Sequence, residues 1–455
     1  MADPKSPAPD AGGAERKAKI LEQAERTNVK FMRLQFTDIL GVIKNVEIPH
    51  RQFGLALDGQ IMFDGSSIEG FVRIEESDMF LRPDLSTFQV LPGTQNTGER
   101  IGRLICDIHN PDGSPFEGCP RHALKRAIAL AGAAGYTLHC GPEVEFFLFQ
   151  TRDGRATTET HDAASYFDLA PVDLGEDVRR QIVLALESIG IDVEAAHHEV
   201  AAGQHEIDFR QDDVLITADN VSTFRFIVKN VAQQNGLHAT FMPKPVYGRN
   251  GSGLHLLQSL IGADGSNAFL DTDAPWQLSR TCLNYIGGLL RHANGFCSIT
   301  NPLVNSYKRL VTGFEAPTNI AWSEHNRSPL VRVPARRDAA TGVELRVPDP
   351  SCNPYLALAV TLCAGLEGMK HDLDPGPPIN KNIHKMSFRE RRHLRIDELP
   401  GNLSDALDAL EKDEVVQNAL GRHIYEHFLE AKRNEWQEYI ERVSGWEISR
   451  YLTVY

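Results

Sequence analysis

Apolar positions along this 455-residue chain change period several times, and each change marks an element. Ile20, Leu21 and Ala24 recur at helical spacing within Ala14 to Thr27. Phe31-Met32-Arg33-Leu34-Gln35-Phe36 then alternates like a strand, Thr37 to Gly41 reads as a turn, and Val42 to Pro49 as the returning strand of a hairpin. Phe88 to Leu91 and Ile101 to Asp107 predict further strands. The turn-rich run Asn110-Pro111-Asp112-Gly113-Ser114-Pro115 closes this region. The sequence therefore predicts a flexible tail over 1–16, a small α+β domain over 17–113 and a large domain over 114–455.

In the large domain, the Ala-rich stretch Pro120 to Gly135 predicts a helix that leads into an apolar strand, His139 to Phe149. Asp173 to Ile189 and Val221 to Gln234 read as helices. Ile191 to Val200, Gly203 to Phe209, Leu237 to Met242 and a segment opening at Leu254-His255 read as strands. Asn301 to Asp349 is polar and irregular apart from Val343 to Val347, and Tyr355 to Ala359 and Leu403 to Val443 are helical in pattern. Helices and strands are mixed rather than strictly alternating, so the fold class is α+β, and the length exceeds one ordinary core.

Composition narrows the class. Apolar residues make up 42% and charged residues 24%, as in a globular protein with a sizeable core. The net charge of −14 argues against a nucleic-acid surface. Seven scattered cysteines without CxxC spacing suggest neither a disulfide framework nor a thiolate zinc site and fit a cytoplasmic protein. Met1 to Gly13 lacks an apolar signal region, and no apolar run is long enough to span a membrane.

The chemistry sits where charge interrupts apolar strands. Glu143 and Glu145 lie two residues apart in the 139–149 strand, hence on one face. Two such carboxylates need Arg or Lys partners, solvent, or a divalent metal. A second pair of strand-like runs carries Glu194, Glu199 and Glu206, interleaved with His197, His198 and His205. Glycines at 248, 251 and 253 allow close backbone approach to a ligand just before His255, though the run is neither a Rossmann fingerprint nor a Walker loop. Between 301 and 349 lie Lys308, Arg309, Glu315, Arg327, Arg332, Arg336, Arg337, Glu344 and Arg346. In an acidic protein, this local excess of Arg suggests an anionic ligand. Met62 to Arg73 is a Gly/Ser loop with Asp64 near its start.

Collected, Glu143, Glu145, Glu199, Glu206, His255 and Glu344 suffice for two divalent sites of three protein ligands each. Their oxygen-rich character suits Mg²⁺ or Mn²⁺ better than zinc. Paired hard cations beside several Arg are the equipment of phosphoryl transfer, which leaves an ATP-dependent ligase and a phosphotransferase both open.

At these residues the chain resembles the type I glutamine synthetases, from about residue 17 to Tyr455. The motifs are FDGSSIEG at 63–70, GPEVEFF at 141–147, HHEVAAGQHEID at 197–208, PKPVYGRNGSGLH at 243–255, NSYKRLVTGFEAP at 305–317, NRSP at 326–329 and ELRVPDPSCNPY at 344–355. The resemblance implies a small N-terminal β-grasp-like domain, a large catalytic α+β domain and a cytoplasmic dodecamer of two hexameric rings, with Asp64 completing a neighbouring subunit's site. It implies two or more Mg²⁺ (or Mn²⁺) ions: one held by Glu145, Glu199 and Glu206, the other by Glu143, His255 and Glu344. ATP would meet Glu194, Ser259, Arg327 and Arg332. L-glutamate would meet Asn250, Gly251, Arg309, Glu315, Arg327 and Arg346.

The reaction so implied is two-step: the γ-carboxylate of glutamate takes the terminal phosphoryl group of ATP, and ammonia then displaces phosphate. Asp64 would draw in ammonium and accept its proton, Glu315 would close over the intermediate, and Arg327 would neutralise the moving phosphoryl group. Arg73 matches the subgroup inhibited by glutamine itself, and regulatory protein partners are possible. Asn382-Ile383-His384-Lys385 replaces the segment where some relatives carry an adenylylated Tyr, and Leu257 replaces a polar residue beside ATP. The alternatives are a γ-glutamyl ligase using methylamine or a polyamine, and an inactive ring-forming relative. Retention of Asp64 and Glu315 speaks against the first, and six intact ligands against the second.

Overall fold

The computed structural model describes residues 11–66, 68, 70, 78–92, 100–394 and 396–455. Arg73, the expected feedback residue, lies outside them. The chain divides into a small unit, residues 1–122 with 187–190, and a large unit, residues 123–186 with 191–455.

In the small unit, β1 (Val29–Thr37), β2 (Ile43–Pro49), β3 (Ile61–Asp64), β4 (Asp78–Val90) and β5 (Arg100–His109) form one sheet in the order β2-β1-β5-β4-β3. β1 and β5 run parallel and the other pairs antiparallel, as expected of a β-grasp-like domain. The helix Ala11–Arg26 lays Ile20 and Ala24 into the core beside Met32, Leu34 and Leu81. Leu21 is 41% exposed, so the apolar stripe is narrower than its spacing suggested. The helix also starts at Ala11, which makes the end of the expected tail helical. β4 is much longer than Phe88 to Leu91. Asp84, Ser86 and Thr87 bond locally where its register shifts against β5, and this polar irregularity hides the strand in the sequence.

The large unit is built on β6 (Tyr136–Arg152), followed by β7 (Arg155–Thr160), β8 (Val193–His198), β9 (Gln204–Phe209), β10 (Asp212–Asp213), β11 (Leu237–Thr240), β12 (Leu254–Gly262), β13 (Asn319–Ser323), β14 (Pro329–Arg332), β15 (Val343–Leu345) and β16 (Asp397–Glu398). The main path is β16-β13-β14-β15-β12-β6-β9-β8, antiparallel except between β13 and β14, while β7, β10 and β11 pair with β6. Three of these strands lie inside the stretch 301–349: β15 falls on the expected Val343 to Val347, while the polar sequence masked β13 and β14.

Val144, Phe146 and Leu148 on one face of β6 are fully buried, with Phe146 edge-on to Phe224 of the helix Val214–Gln234. That helix starts seven residues before Val221 because Asp213 caps it by accepting from the Leu215 N–H. Helix Pro354–Lys370 packs on Arg280–Arg291 through glycines: a Cβ on Gly365 would lie 2.1 Å from Tyr285, and one on Gly288 2.1 Å from the Ala364 carbonyl oxygen. The expected helix from Leu403 to Val443 is three helices, broken at the Asp413 cap and at Gly421, whose φ of 78° suits glycine. Among the described residues no helix is long and apolar enough to cross a membrane.

Candidate active site

Strand register assembles the site. The β6–β12 pairing sets Glu143 opposite His255, and the β6–β9 pairing sets Glu145 opposite Glu206 and Glu143 opposite Asp208. The β8–β9 pairing sets His197 opposite Glu206, and the β14–β15 pairing sets Arg332 opposite Glu344. Groups far apart in sequence thus face one cleft of about 450 Å³ in the large unit. Such a volume suits small-molecule substrates.

Two acidic clusters line it. Glu143, His255 and Glu344 form the first: His255 Nδ1 is 3.1 Å from a Glu143 oxygen and 3.9 Å from a Glu344 oxygen. Glu344 also accepts from Arg332 Nη1 at 2.6 Å, and Arg346 Nη1 lies 3.4 Å away. The second joins Glu199 and Glu206 through His197, whose ring nitrogens are each 3.8 Å from one of the carboxylates. Glu145 stands beside it. One of its oxygens accepts from the Gly253 N–H at 2.9 Å and from Gln204 Nε2 at 3.0 Å.

The charge balance differs between the clusters. Burial alone would raise the pKa of Glu143, but the His255 hydrogen bond and the charges of His255, Arg346 and Arg332 hold it below the usual range. Burial pushes Glu145 well up, assisted by the charge of Glu199. Burial and repulsion from Glu145, Asp208 and Glu199 raise Glu206 further, and Asp208 is raised by burial and Glu143. The second group has too little positive charge. Its oxygen-rich donors and this deficit fit a hard divalent cation.

The anion-binding side comes from Arg309, Arg327, Arg332 and Arg346, with Asn250 and Gly251. Arg309 is 3% exposed, and its two terminal nitrogens donate to the carbonyls of Val347 and Arg346 at 2.8 and 3.1 Å. It therefore shapes the floor as well as supplying charge. Gly251 must be glycine, since a Cβ there would lie 2.3 Å from the Pro243 carbonyl oxygen. Glu315 lines the cleft from a backbone with φ of 59°, a left-handed conformation uncommon outside glycine.

The remaining predicted residues stand elsewhere. Glu194 is exposed on β8 and is not part of the lining. Ser259 is fully buried: its hydroxyl donates to the Thr341 carbonyl at 2.9 Å and accepts from Gln211 Nε2 at 2.9 Å, so it is engaged within the protein instead of facing the cleft. Asp64 ends β3 in the small unit, exposed, and accepts from the Ser66 N–H at 2.8 Å.

The ligand and substrate sets expected from sequence left out His197, Asp208, Gln204 and Tyr166, all of which line the cleft. His197 was detectable, because it lies two residues before Glu199 in a run already marked by its acids. Tyr166 was not, because it reaches the cleft from an irregular loop, where it lines the same pocket as Arg327.

Residues 28–111 match the glutamine synthetase β-grasp domain family, and residues 117–451 match the glutamine synthetase catalytic domain family. The chain is 59% identical to a glutamine synthetase of Thermus thermophilus, over 96% of this chain and 99% of the relative. It is 54% identical to one of Clostridium saccharobutylicum over the same shares. Among solved structures, a GmaS/ADP complex has a TM-score of 0.87 at 34% identity, covering 95% of this chain and 99% of its own. Plasmodium falciparum glutamine synthetase has a TM-score of 0.86 at 24% identity, covering 98% and 100%, and shares the fold.

Proposed function

The chain belongs to the glutamine synthetase family and forms glutamine from glutamate, ammonia and ATP with a divalent metal; we propose that the cleft described above does so with the following division of labour. The observation that carries this reading is the convergence of two acidic clusters and four arginines on one cleft.

In this reading, two or more Mg²⁺ (or Mn²⁺) ions, held by Glu145, Glu199 and Glu206 on one side and Glu143, His255 and Glu344 on the other, supply charge neutralisation to the phosphates when bound. Asn250, Gly251 and Arg346 hold glutamate by its α-amino and carboxylate groups, with Arg309 beneath them as a fixed positive charge. Arg332 and Glu194 flank ATP. Ser259, given its buried hydroxyl, acts there only by fixing the Thr341 carbonyl and Gln211.

Activation is necessary because an amine cannot displace oxide from a carboxylate. A γ-carboxylate oxygen attacks the terminal phosphorus of ATP, the bond to ADP breaks, and γ-glutamyl phosphate forms. Arg327, which lines the cleft beside Tyr166, offsets the charge on the moving group. Asp64 of a neighbouring copy binds ammonium and takes its proton. Ammonia then attacks the acyl carbon, and phosphate leaves with the carboxylate oxygen. Glu315 closes over the acyl phosphate and excludes water.

We further propose a cytoplasmic dodecamer of two hexameric rings, with glutamine feedback through Arg73 and scope for regulatory proteins. The exposed position of Asp64 and a cleft lining drawn only from the large unit support completion of each site by a second copy. The test is to supply ATP, Mg²⁺ and glutamate with ammonium, methylamine or putrescine at equal concentration. Ammonium should dominate, giving one glutamine per ADP. Preference for a larger amine, or no turnover with any, would contradict the reading.

A further inference from the structure

Lys244 precedes the glycine-rich loop and is 9% exposed, yet among the described residues no carboxylate pairs with its ammonium. Its two contacts come from two separate segments, both of which reach the cleft lining. It donates to the carbonyl of Arg249, at the base of the Asn250–Gly251 loop, and it sits 3.7 Å from the ring centroid of Phe314. Phe314 immediately precedes Glu315. A desolvated ammonium over an aromatic face is held by the ring's quadrupole and has no water to compensate its loss.

The backbone around Lys244 is fixed independently. Its N–H donates to Asn305 Oδ1 at 2.7 Å, and Asn305 Nδ2 donates to its carbonyl at 3.0 Å. Asn305 adjoins the short helix Ser306–Arg309 that carries Arg309, and the Ser252 N–H donates to the neighbouring Pro243 carbonyl at 2.8 Å. With its main chain pinned, the side chain can serve only as a strut toward Phe314. Glu315, at φ of 59°, needs its surroundings to hold an unfavourable conformation, and the ring under Lys244 belongs to the residue just before it.

We propose that Lys244 is a positioning residue that fastens the Glu315 segment to the Asn250–Gly251 loop, so that seating glutamate on the loop steadies the cover over the acyl phosphate. The proposal rests on the reaction assigned above. Loosening the strut lets water attack the acyl carbon of γ-glutamyl phosphate, which returns glutamate and releases phosphate, so ATP is consumed without amide formation.

The test measures glutamine formed per phosphate released, together with phosphate release when ammonium is omitted, in full-length Lys244→Met, Lys244→Arg, Phe314→Leu and Phe314→Tyr. The unmodified protein should give a ratio near one; if it makes no glutamine, the assigned reaction fails rather than the strut. Lys244→Met and Phe314→Leu should each lower the ratio at least twofold and raise ammonium-independent release several-fold. The double variant should be no worse than either single one, and Lys244→Arg and Phe314→Tyr should recover most of the coupling. A general loss of stability would reduce turnover without altering the ratio. If Lys244→Met does not fold, the half-buried Phe314 variants carry the test alone. A ratio near one in Phe314→Leu, or additive effects in the double variant, would overturn the proposal.

Discussion

Glu145 and Glu206 stand directly opposite each other on β6 and β9, both buried and without an Arg or Lys salt bridge to either among the described residues. Adjacent strands bring facing side chains within about 5 Å, where like charges oppose folding. The pair is tolerable only if a proton or a cation joins it.

That arrangement predicts a pH-dependent response to metal. Burial and mutual repulsion raise both carboxyl pKa values above those of the unfolded chain. The metal-free folded protein therefore binds more protons than the unfolded one, and its stability falls as pH rises from the ordinary carboxylate range toward the raised values. A metal removes the penalty by displacing those protons. The rise in Tm on adding Mg²⁺ should be larger at pH 8 than at pH 6, and the half-saturating Mg²⁺ concentration should fall over the same interval. Scanning calorimetry at both pH values checks this; an equal shift would refute it.

Glu344 is shared by the His255 group and by Arg332. Glu344→Gln keeps the shape but removes the charge, and metal affinity should fall by about 10–100-fold, as for loss of an anionic group at a metal site. Turnover should recover partly at high Mg²⁺. Arg332→Leu should instead raise the KM for ATP with little change in that for glutamate, because its Nη1 bond to Glu344 orients a charge toward the phosphates. Steady-state kinetics at varied Mg²⁺ and ATP separate the two.

Asp64 is held by the Ser66 N–H and has no part in lining the large unit's cleft. Asp64→Asn should raise the KM for ammonium and lower kcat by about 100-fold, the scale of a lost general base, while leaving ATP and glutamate binding within about twofold. Mixing Asp64→Asn with an otherwise intact Glu344→Gln variant should restore activity if sites form between copies. No gain above the separate activities after dissociation and reassembly would contradict that arrangement.

Arg121, 3% exposed in the small unit, donates to Asp84 at 2.8 Å and Asp107 at 3.2 Å. Arg121→Met should destabilise the protein by about 1–2 kcal/mol, the scale of charged hydrogen bonds lost from half-buried partners. Burial alone would raise Asp84, but Ser86 and Arg121 hold its pKa below the ordinary aspartate value. The Arg121 contribution is thus present at neutral pH and fades as pH falls through that depressed value. Denaturation midpoints at pH 7 and pH 3.5 should show the deficit shrinking with acid.

The acids were legible because period-2 alternation alone puts Glu143 and Glu145 on one face, and a charge in an apolar strand demands an explanation. What joined Glu145 to Glu206 was strand register, set by the turn before Gln204 and the β6–β9 pairing, and no local pattern encodes it. Two strands inside 301–349 were hidden for a related reason: β13 and β14 are five and four residues long, too short for a period to show, whereas Val343 to Val347 already marked β15. The early start of the Val214 helix turned on one cap, Asp213, which composition does not distinguish from a loop acid. Ser259 shows the converse, since a motif match could not reveal that its hydroxyl is already bonded on both sides.

The reaction assigned to the cleft makes the γ-carboxylate oxygen of glutamate the one that departs with phosphate. Its most direct test is to supply glutamate labelled with ¹⁸O in the γ-carboxylate, together with ATP, Mg²⁺ and ammonium, and to measure the label in the phosphate released. One ¹⁸O atom should appear in each phosphate for each glutamine formed. Unlabelled phosphate accompanying glutamine would contradict activation through γ-glutamyl phosphate.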